Sequence, residues 1–399
     1  MKHKVPSAWI GIALAFYAFI AIAIAESGLG VLLPSILASY HLTPATVTIL
    51  FFSQISGYVV AALASSLLSE RIGLARMILL AAMSLTSALC IYASTSHWAV
   101  MVITGMLLGL GIGLTDAGIN TFMAHDQRSA NRIGLLHAFY GIGALSGPAI
   151  ATTLLTLGVS WRSVYWVFAG LVSLLVIGMI WVVVRRYPLM DAHSFVSDQS
   201  AESSLRLVLK KPIVLVSGLF LLLYVGTEAA VGIWAYAVQT IARGTPVAVA
   251  GYSVAAYWFG LTLGRLLLGF LTKRLGAVRI IDVSLGLLIV GLLVWWLFPH
   301  QLWSLPLIGF SLAAVFPMTI WLMPQRVSAP LVPAAIGLLT SLGSVGAVSI
   351  PTALGWLANA IGLQIVPMLL LPLAVIMAIL HRWLINYAPL QTAEQRSHF

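Results

Sequence analysis

Charge is what this sequence has least of. Asp, Glu, Lys and Arg make up 8% of its 399 residues. A water-soluble domain carries about 25%. So few charges cannot cover a water-facing surface, and the 61% of residues that are hydrophobic must meet lipid instead. Cysteine is nearly absent too: Cys90 stands alone, which excludes an intramolecular disulfide. Neither H-E-x-x-H nor G-x-S-x-G occurs, and no Cys/His cluster or Walker-type G-x-x-x-x-G-K-[ST] is present. The chain thus lacks the signatures of an enzyme or a fused ATPase, and it requires no cofactor and no metal. A net charge of +10 suggests nucleic acid, but the basic residues fall in short clusters between apolar runs, so no nucleic-acid face forms.

What the chain has in abundance is long apolar runs. They cover residues 9–37, 45–68, 77–96, 98–124, 134–158, 163–184, 212–238, 248–272, 280–298, 304–324, 333–358 and 364–386. Most exceed the roughly 20 residues that cross a hydrocarbon core as a helix. They show no period-two alternation, so they are helices and not barrel strands. The first run follows Lys2 and Lys4 as a signal peptide would, but it is too long for one and contains Glu26. It is expected to be a retained helix.

Basic residues give the orientation. With the N-terminus inside, 17 of the 20 Lys and Arg residues fall on the inner side; Arg162 and Arg243 fall outside, and Arg265 lies within a helix. Positive charge stays cytoplasmic, which places both termini there, in a multi-pass protein of the cell or inner membrane. The polar segment 185–211 then reads as a cytoplasmic linker between a bundle over 1–184 and a second over 212–399.

An internal repeat supports that division. A shift of 203 residues lays Ile133–Pro148 over Ile336–Pro351, with eight of sixteen positions identical. The same shift lays Leu68, Arg71, Gly73 and Arg76 over Leu271, Arg274, Gly276 and Arg279, and a shift of 202 lays Glu26 and Gly30 over Glu228 and Gly232. The expected fold is all-α: twelve transmembrane helices in two six-helix bundles, related by a pseudo-two-fold axis along the membrane normal.

This arrangement resembles the major facilitator superfamily. The loop S-E70-R71-I-G73-L-A-R76 is similar to its helix 2–3 signature, with Glu70 for the usual Asp and Ser66 where a glycine is customary. The resemblance implies a secondary transporter working by alternating access. It also implies a cytoplasmic gate of Glu70, Arg71, Gly73, Arg76, Arg274, Gly276 and Arg279, whose basic loops latch onto carboxylates and helix ends. The alternative is that these arginines only fix topology. Helix 4 (G-L-G-I-G-L-T-D116-A-G-I-N120), helix 5 (R132-I-G-L-L-H137-A-F-Y140), helix 7 (Y224-V-G-T-E228-A-A-V-G232-I-W234) and helix 8 (G260-L-T-L-G264-R265) further resemble the fucose permease-like, sugar–proton symporter branch.

Acids inside a membrane cost about 2.5–3.5 kcal/mol each on the insertion scale, so Glu26, Asp116 and Glu228 require a reason. Either they serve helix assembly, or they load and release protons in surroundings of low dielectric. In the resembled branch, acids on helices 1 and 4 are linked to proton coupling. Asp116 matches the helix 4 position and Asn120 the asparagine after it, whereas Glu26 sits one turn deeper than the helix 1 acid, where this chain has Gly30. Asn120 also lies on the face of Asp116, four residues on.

Candidate solute-binding residues are Gln54, Asn120, His137, Tyr140, Tyr224, Trp234, Tyr257, Trp258 and Trp321. His137 and Tyr140 stand where the permease carries amides suited to sugar hydroxyls. His137 has a proton-path role or a packing role as its alternatives. Gly105, Gly109 and Gly113, with Gly260 and Gly264, are spaced for close helix contact. The stretch G143-A-L-S-G147-P148 partly matches an antiporter signature and reads first as a packing feature. The expected function is proton-coupled uptake of a sugar or similar polar metabolite by a monomer in the bilayer, with a proton-driven exporter of drugs or metabolites as the alternative.

Overall fold

The computed structural model describes residues 8–124, 129–187 and 206–387. Lys2, Lys4, Arg128 and Arg396, counted above for orientation, lie outside them, as does most of the 185–211 linker. The described residues are all-α, and among them are twelve helical spans long and apolar enough to cross a membrane. We label them α1 (Trp9–Tyr40), α2 (Thr48–Ile72), α3 (Leu74–Ser94), α4 (Trp98–Met123), α5 (Leu135–Thr156), α6 (Trp161–Val184), α7 (Pro212–Ala242), α8 (Val247–Leu275), α9 (Ala277–Leu297), α10 (Ser304–Gln325), α11 (Ala329–Ile361) and α12 (Leu363–Tyr387).

Two compact units form, residues 1–196 with 245–255, and residues 197–244 with 256–399. In the first, α1 packs on α5 and α6, α2 on α4, and α3 on α4 and α6. In the second, α7 packs on α11 and α12, and α9 on α10 and α12. These four are pairs of the first unit advanced by six, and the fifth, α8 on α10, meets at Gly260 and Gly309, so the sequence repeat is a repeat of packing.

Small residues permit the tightest of these crossings. A Cβ on Gly109 of α4 would strike the carbonyl oxygen of Gln54 on α2, and a Cβ on Gly309 of α10 would strike that of Tyr257 on α8. Gln54 and Tyr257 are themselves matched by the 203-residue shift. Gly57 and Gly260, also matched, meet the carbonyls of Met106 and Pro306. Backbones touch at these points, which leaves no room for a methyl group.

The repeated loops owe their shape to glycine as well. Gly73 joins α2 to α3 at φ 86°, and Gly276 joins α8 to α9 at φ 75°, a region costly for any residue with a Cβ. Their neighbours Arg71 and Arg274 lie at the last turns of α2 and α8.

The arginines placed outside by the charge count do the same job on matching helices. Arg162 donates to the carbonyl of Thr95, just past the end of α3, from Nε at 3.3 Å and Nη2 at 3.2 Å. Arg243 donates from Nη2 to the carbonyl of Trp295, in the last turn of α9, at 2.6 Å. Cations there satisfy orphan carbonyls and oppose the negative helix end. Burial pushes the Arg243 guanidinium below its ordinary value.

Candidate functional site

The mid-membrane acids are each held by hydroxyl or amide donors. Asp116 on α4 accepts from the Tyr58 hydroxyl of α2 at Oδ2, 2.8 Å away. Its Oδ1 accepts from Asn120 Nδ2 at 2.8 Å, and the same nitrogen reaches the Asp116 carbonyl at 3.0 Å. The four-residue spacing read from sequence therefore makes the contact it promised. Glu26 on α1 accepts from the Tyr140 hydroxyl of α5 at 2.8 Å. Glu26 is exposed although its flanking residues Ala25 and Ser27 are buried. An accessible carboxyl at this depth requires water beside it, not hydrocarbon.

The two oxygens of Asp116 are chemically distinct. The Asn120 amide nitrogen can only donate, so Oδ1 cannot carry a proton toward it. A phenol both donates and accepts, so Tyr58 can rotate and accept from a protonated Oδ2. The site can hold Asp116 charged or neutral with a hydrogen bond in each state, at the cost of turning one hydroxyl.

In the second unit, Glu228 on α7 accepts from the Tyr224 hydroxyl at Oε2. Its backbone carbonyl accepts from the Tyr257 hydroxyl of α8 at 3.0 Å. Arg265 of α8 brings Nη2 to 3.6 Å from Glu228 Oε1. The repeat-matched acids Glu26 and Glu228 thus differ in partners, since the first meets a tyrosine of α5 and the second an arginine of α8.

The remaining candidates spread more widely. Gln54 on α2 donates to the Tyr92 hydroxyl at 3.4 Å. His137 is exposed and meets Phe19 edge-on at 5.8 Å between ring centroids. Trp234 is wholly buried and donates its indole N–H to the carbonyl of Pro351 at 2.9 Å, tying α7 to the proline of α11. Trp258 packs against Gly232 and the Tyr257 ring. Trp321 on α10, by contrast, is 54% exposed. At the gate loops, Glu70 is exposed and the Arg274 guanidinium stacks on the Phe270 ring at 4.4 Å.

Two partners were not among the residues singled out from sequence. Tyr58 lies one helical turn beyond Gln54, on the same face, and that spacing was the available signal. Arg265 was counted as the one basic residue inside a helix, and its pairing with Glu228 shows why a membrane span tolerates it. In helix 5, a Cβ on Gly143 would strike the Ile20 carbonyl and one on Gly147 the Ser27 hydroxyl, so packing on α1 accounts for that glycine pattern.

Comparison with known proteins agrees with this architecture. Residues 15–308 match the model of the Major Facilitator Superfamily. The chain is 25% identical over 395 residues to Bypass of stop codon protein 6 of Saccharomyces cerevisiae, covering 88% of this chain and 77% of that one. It is 24% identical over 357 residues to the glucose/mannose transporter GlcP of Bacillus subtilis, covering 86% of each. Among solved structures, a bacterial homologue of the human lysosomal transporter Spinster superposes with TM-score 0.79 at 13% identity, over 98% of this chain and all of that one. The nucleoside transporter NupG superposes with TM-score 0.76 at 14% identity, over 95% and 99%. The chain belongs to the Major Facilitator Superfamily, and is a multi-pass membrane transporter of small solutes by alternating access, not an enzyme.

Proposed function

We propose that this protein takes up a small polar solute, a sugar or a metabolite of similar polarity, together with protons. Asp116 is the coupling acid and Glu26 assists it. The observation that carries this reading is the pair of hydrogen bonds on Asp116, one from the Asn120 amide nitrogen, which only donates, and one from the Tyr58 hydroxyl, which can reverse by turning its O–H alone. A structural acid needs donors alone. An acid that must be stable in both protonation states needs a partner such as Tyr58. Glu26, exposed on α1, is placed to exchange protons with water. Glu228 is the acid to examine next, although Arg265 gives it a partner of opposite charge.

The resemblance of helices 4, 5, 7 and 8 to the fucose permease-like branch, and the similarity to a glucose/mannose transporter, support a sugar. Gln54, Asn120, His137, Tyr140, Tyr224, Tyr257, Trp258, Trp321 and Trp234 remain the candidate solute contacts. The two halves, 1–184 and 212–399, work as rocking bodies joined by the 185–211 linker, with both termini cytoplasmic and Glu70, Arg71, Gly73, Arg76, Arg274, Gly276 and Arg279 at the gate. The test is uptake of labelled hexoses into proteoliposomes under an inward proton gradient. Accumulation that a protonophore abolishes is expected. Solute leaving in exchange for entering protons would replace this reading with that of an exporter.

A further inference from the structure

We infer that Glu228 and Arg265 together form the recognition site for a hydroxyl group of a neutral, polyhydroxylated solute, an inference that rests on the transport reading above and adds a ligand class to it. The geometry is specific. Arg265 Nη2 and Glu228 Oε1 stand 3.6 Å apart, too far for a direct hydrogen bond and near enough for ionic attraction. A hydroxyl oxygen at about 2.8 Å from both atoms fits across such a gap, accepting from the guanidinium and donating to the carboxylate. A hydroxyl is suited to that gap because it offers both functions on one atom.

The surroundings aim the pair. The Tyr224 hydroxyl occupies Oε2 and the Tyr257 hydroxyl holds the Glu228 carbonyl, which fixes the acid with Oε1 toward Arg265. Both tyrosines are almost wholly buried. The charged side chains are not: Arg265 is 23% accessible and Glu228 16%, well inside α8 and α7. Accessible charge within a span requires a polar medium on that side.

Charge balance sets against solutes of net charge. Glu228 and Arg265 cancel, so a neutral solute joins them without leaving an uncompensated charge. An anionic solute drawn to Arg265 meets Glu228, and a cationic one drawn to Glu228 meets Arg265; each leaves one like charge in a medium of low dielectric. The first unit differs, because Glu26 and Asp116 sit mid-span with hydroxyl and amide partners. Proton loading and solute recognition thereby fall to different acids. Arg265 and Glu228 together also supply what an amide supplies to a hydroxyl, a donor beside an acceptor.

Equilibrium binding to purified full-length protein tests this, with labelled D-glucose, D-mannose and myo-inositol as probes and D-glucuronate and D-glucosamine as charged competitors. All measurements are repeated in an Asp116→Asn background without a proton gradient, so loss of coupling and loss of recognition are read separately. Glu228→Gln and Arg265→Gln should each weaken binding of the neutral probe by about tenfold or more, the scale of a lost hydrogen bond to a charged group. Arg265→Lys, which keeps the charge without the fork, should fall between. Thermal unfolding of each variant confirms that it is folded. Glucuronate and glucosamine should compete less well than the neutral sugars. The inference is overturned if the parent binds none of the neutral probes, if glucuronate binds more tightly, or if folded Glu228→Gln and Arg265→Gln bind the neutral probes as the parent does. The last result would mean that the ion pair only holds α7 to α8.

Discussion

The Tyr58 hydroxyl donates to Oδ2 of Asp116 at 2.8 Å, joining α2 to α4 at an acid within the membrane. Donation to a carboxylate favours its charged form, so removing the hydroxyl makes the proton harder to release. In Tyr58→Phe we expect the pH of half-maximal gradient-driven uptake to rise by about one unit, the equivalent of about 1.4 kcal/mol. Uptake by proteoliposomes across a pH series measures this. Asp116→Asn, read by solute exchange across the same pH series because it should not accumulate, should show no such displacement when Tyr58→Phe is added, since the titrating group is gone. A Tyr58→Phe profile that loses height without moving would assign the tyrosine to packing.

Arg162 and Arg243 should contribute to stability and not to coupling. Arg243→Ala leaves the Trp295 carbonyl without its cation, and Arg162→Ala does the same to Thr95. Each should cost about 1–2 kcal/mol, the range for a charge-assisted bond at a helix end. The melting temperature in detergent should fall in both, with the pH profile of uptake unmoved.

Close backbone crossings predict which glycines tolerate a methyl group. Gly109→Ala and Gly309→Ala place a Cβ against the carbonyls of Gln54 and Tyr257, and each should destabilise by about 1–3 kcal/mol. Gly269→Ala and Gly337→Ala meet nothing within 4 Å and should melt as the parent does. The contrast between the two pairs, read by thermal unfolding, is the check.

Arg71 and Arg274 should govern the balance of transporter states and not membrane insertion. Distances between spin labels on the two halves should redistribute in Arg71→Ala and in Arg274→Ala, with expression retained. An unchanged distribution in both variants would reduce these arginines to determinants of topology. Gly73→Ala and Gly276→Ala test the loop itself, since positive φ at each makes a side chain cost about 1 kcal/mol or more.

Much of this architecture was legible in the sequence because lipid imposes a simple rule on length and apolarity. The run read as 45–68 extends in the structure to Ile72, since a helix continues through Glu70 and Arg71 at the membrane face until Gly73 ends it. The contact between Asp116 and Asn120 was equally legible, being fixed by one helix. Tyr58 and Arg265 were not, because their partners lie on other helices and depend on how each helix is rotated. Aromatic residues were the least informative. Trp234 and Trp321 look alike in sequence, yet one is buried against Pro351 and the other is largely exposed.

In the proposed mechanism Asp116 couples proton movement to solute movement. Its charge has no repeat counterpart, since the 203-residue shift lands on Thr319, so symmetric packing does not account for it. The direct measurement is solute flux in proteoliposomes carrying Asp116→Asn, with and without an imposed proton gradient. The variant should still bind solute and exchange it across the membrane, while accumulation driven by the gradient is lost. Glu26→Gln should impair the same step less completely. Full gradient-driven accumulation by Asp116→Asn would contradict the account and move the search for the coupling acid to Glu228.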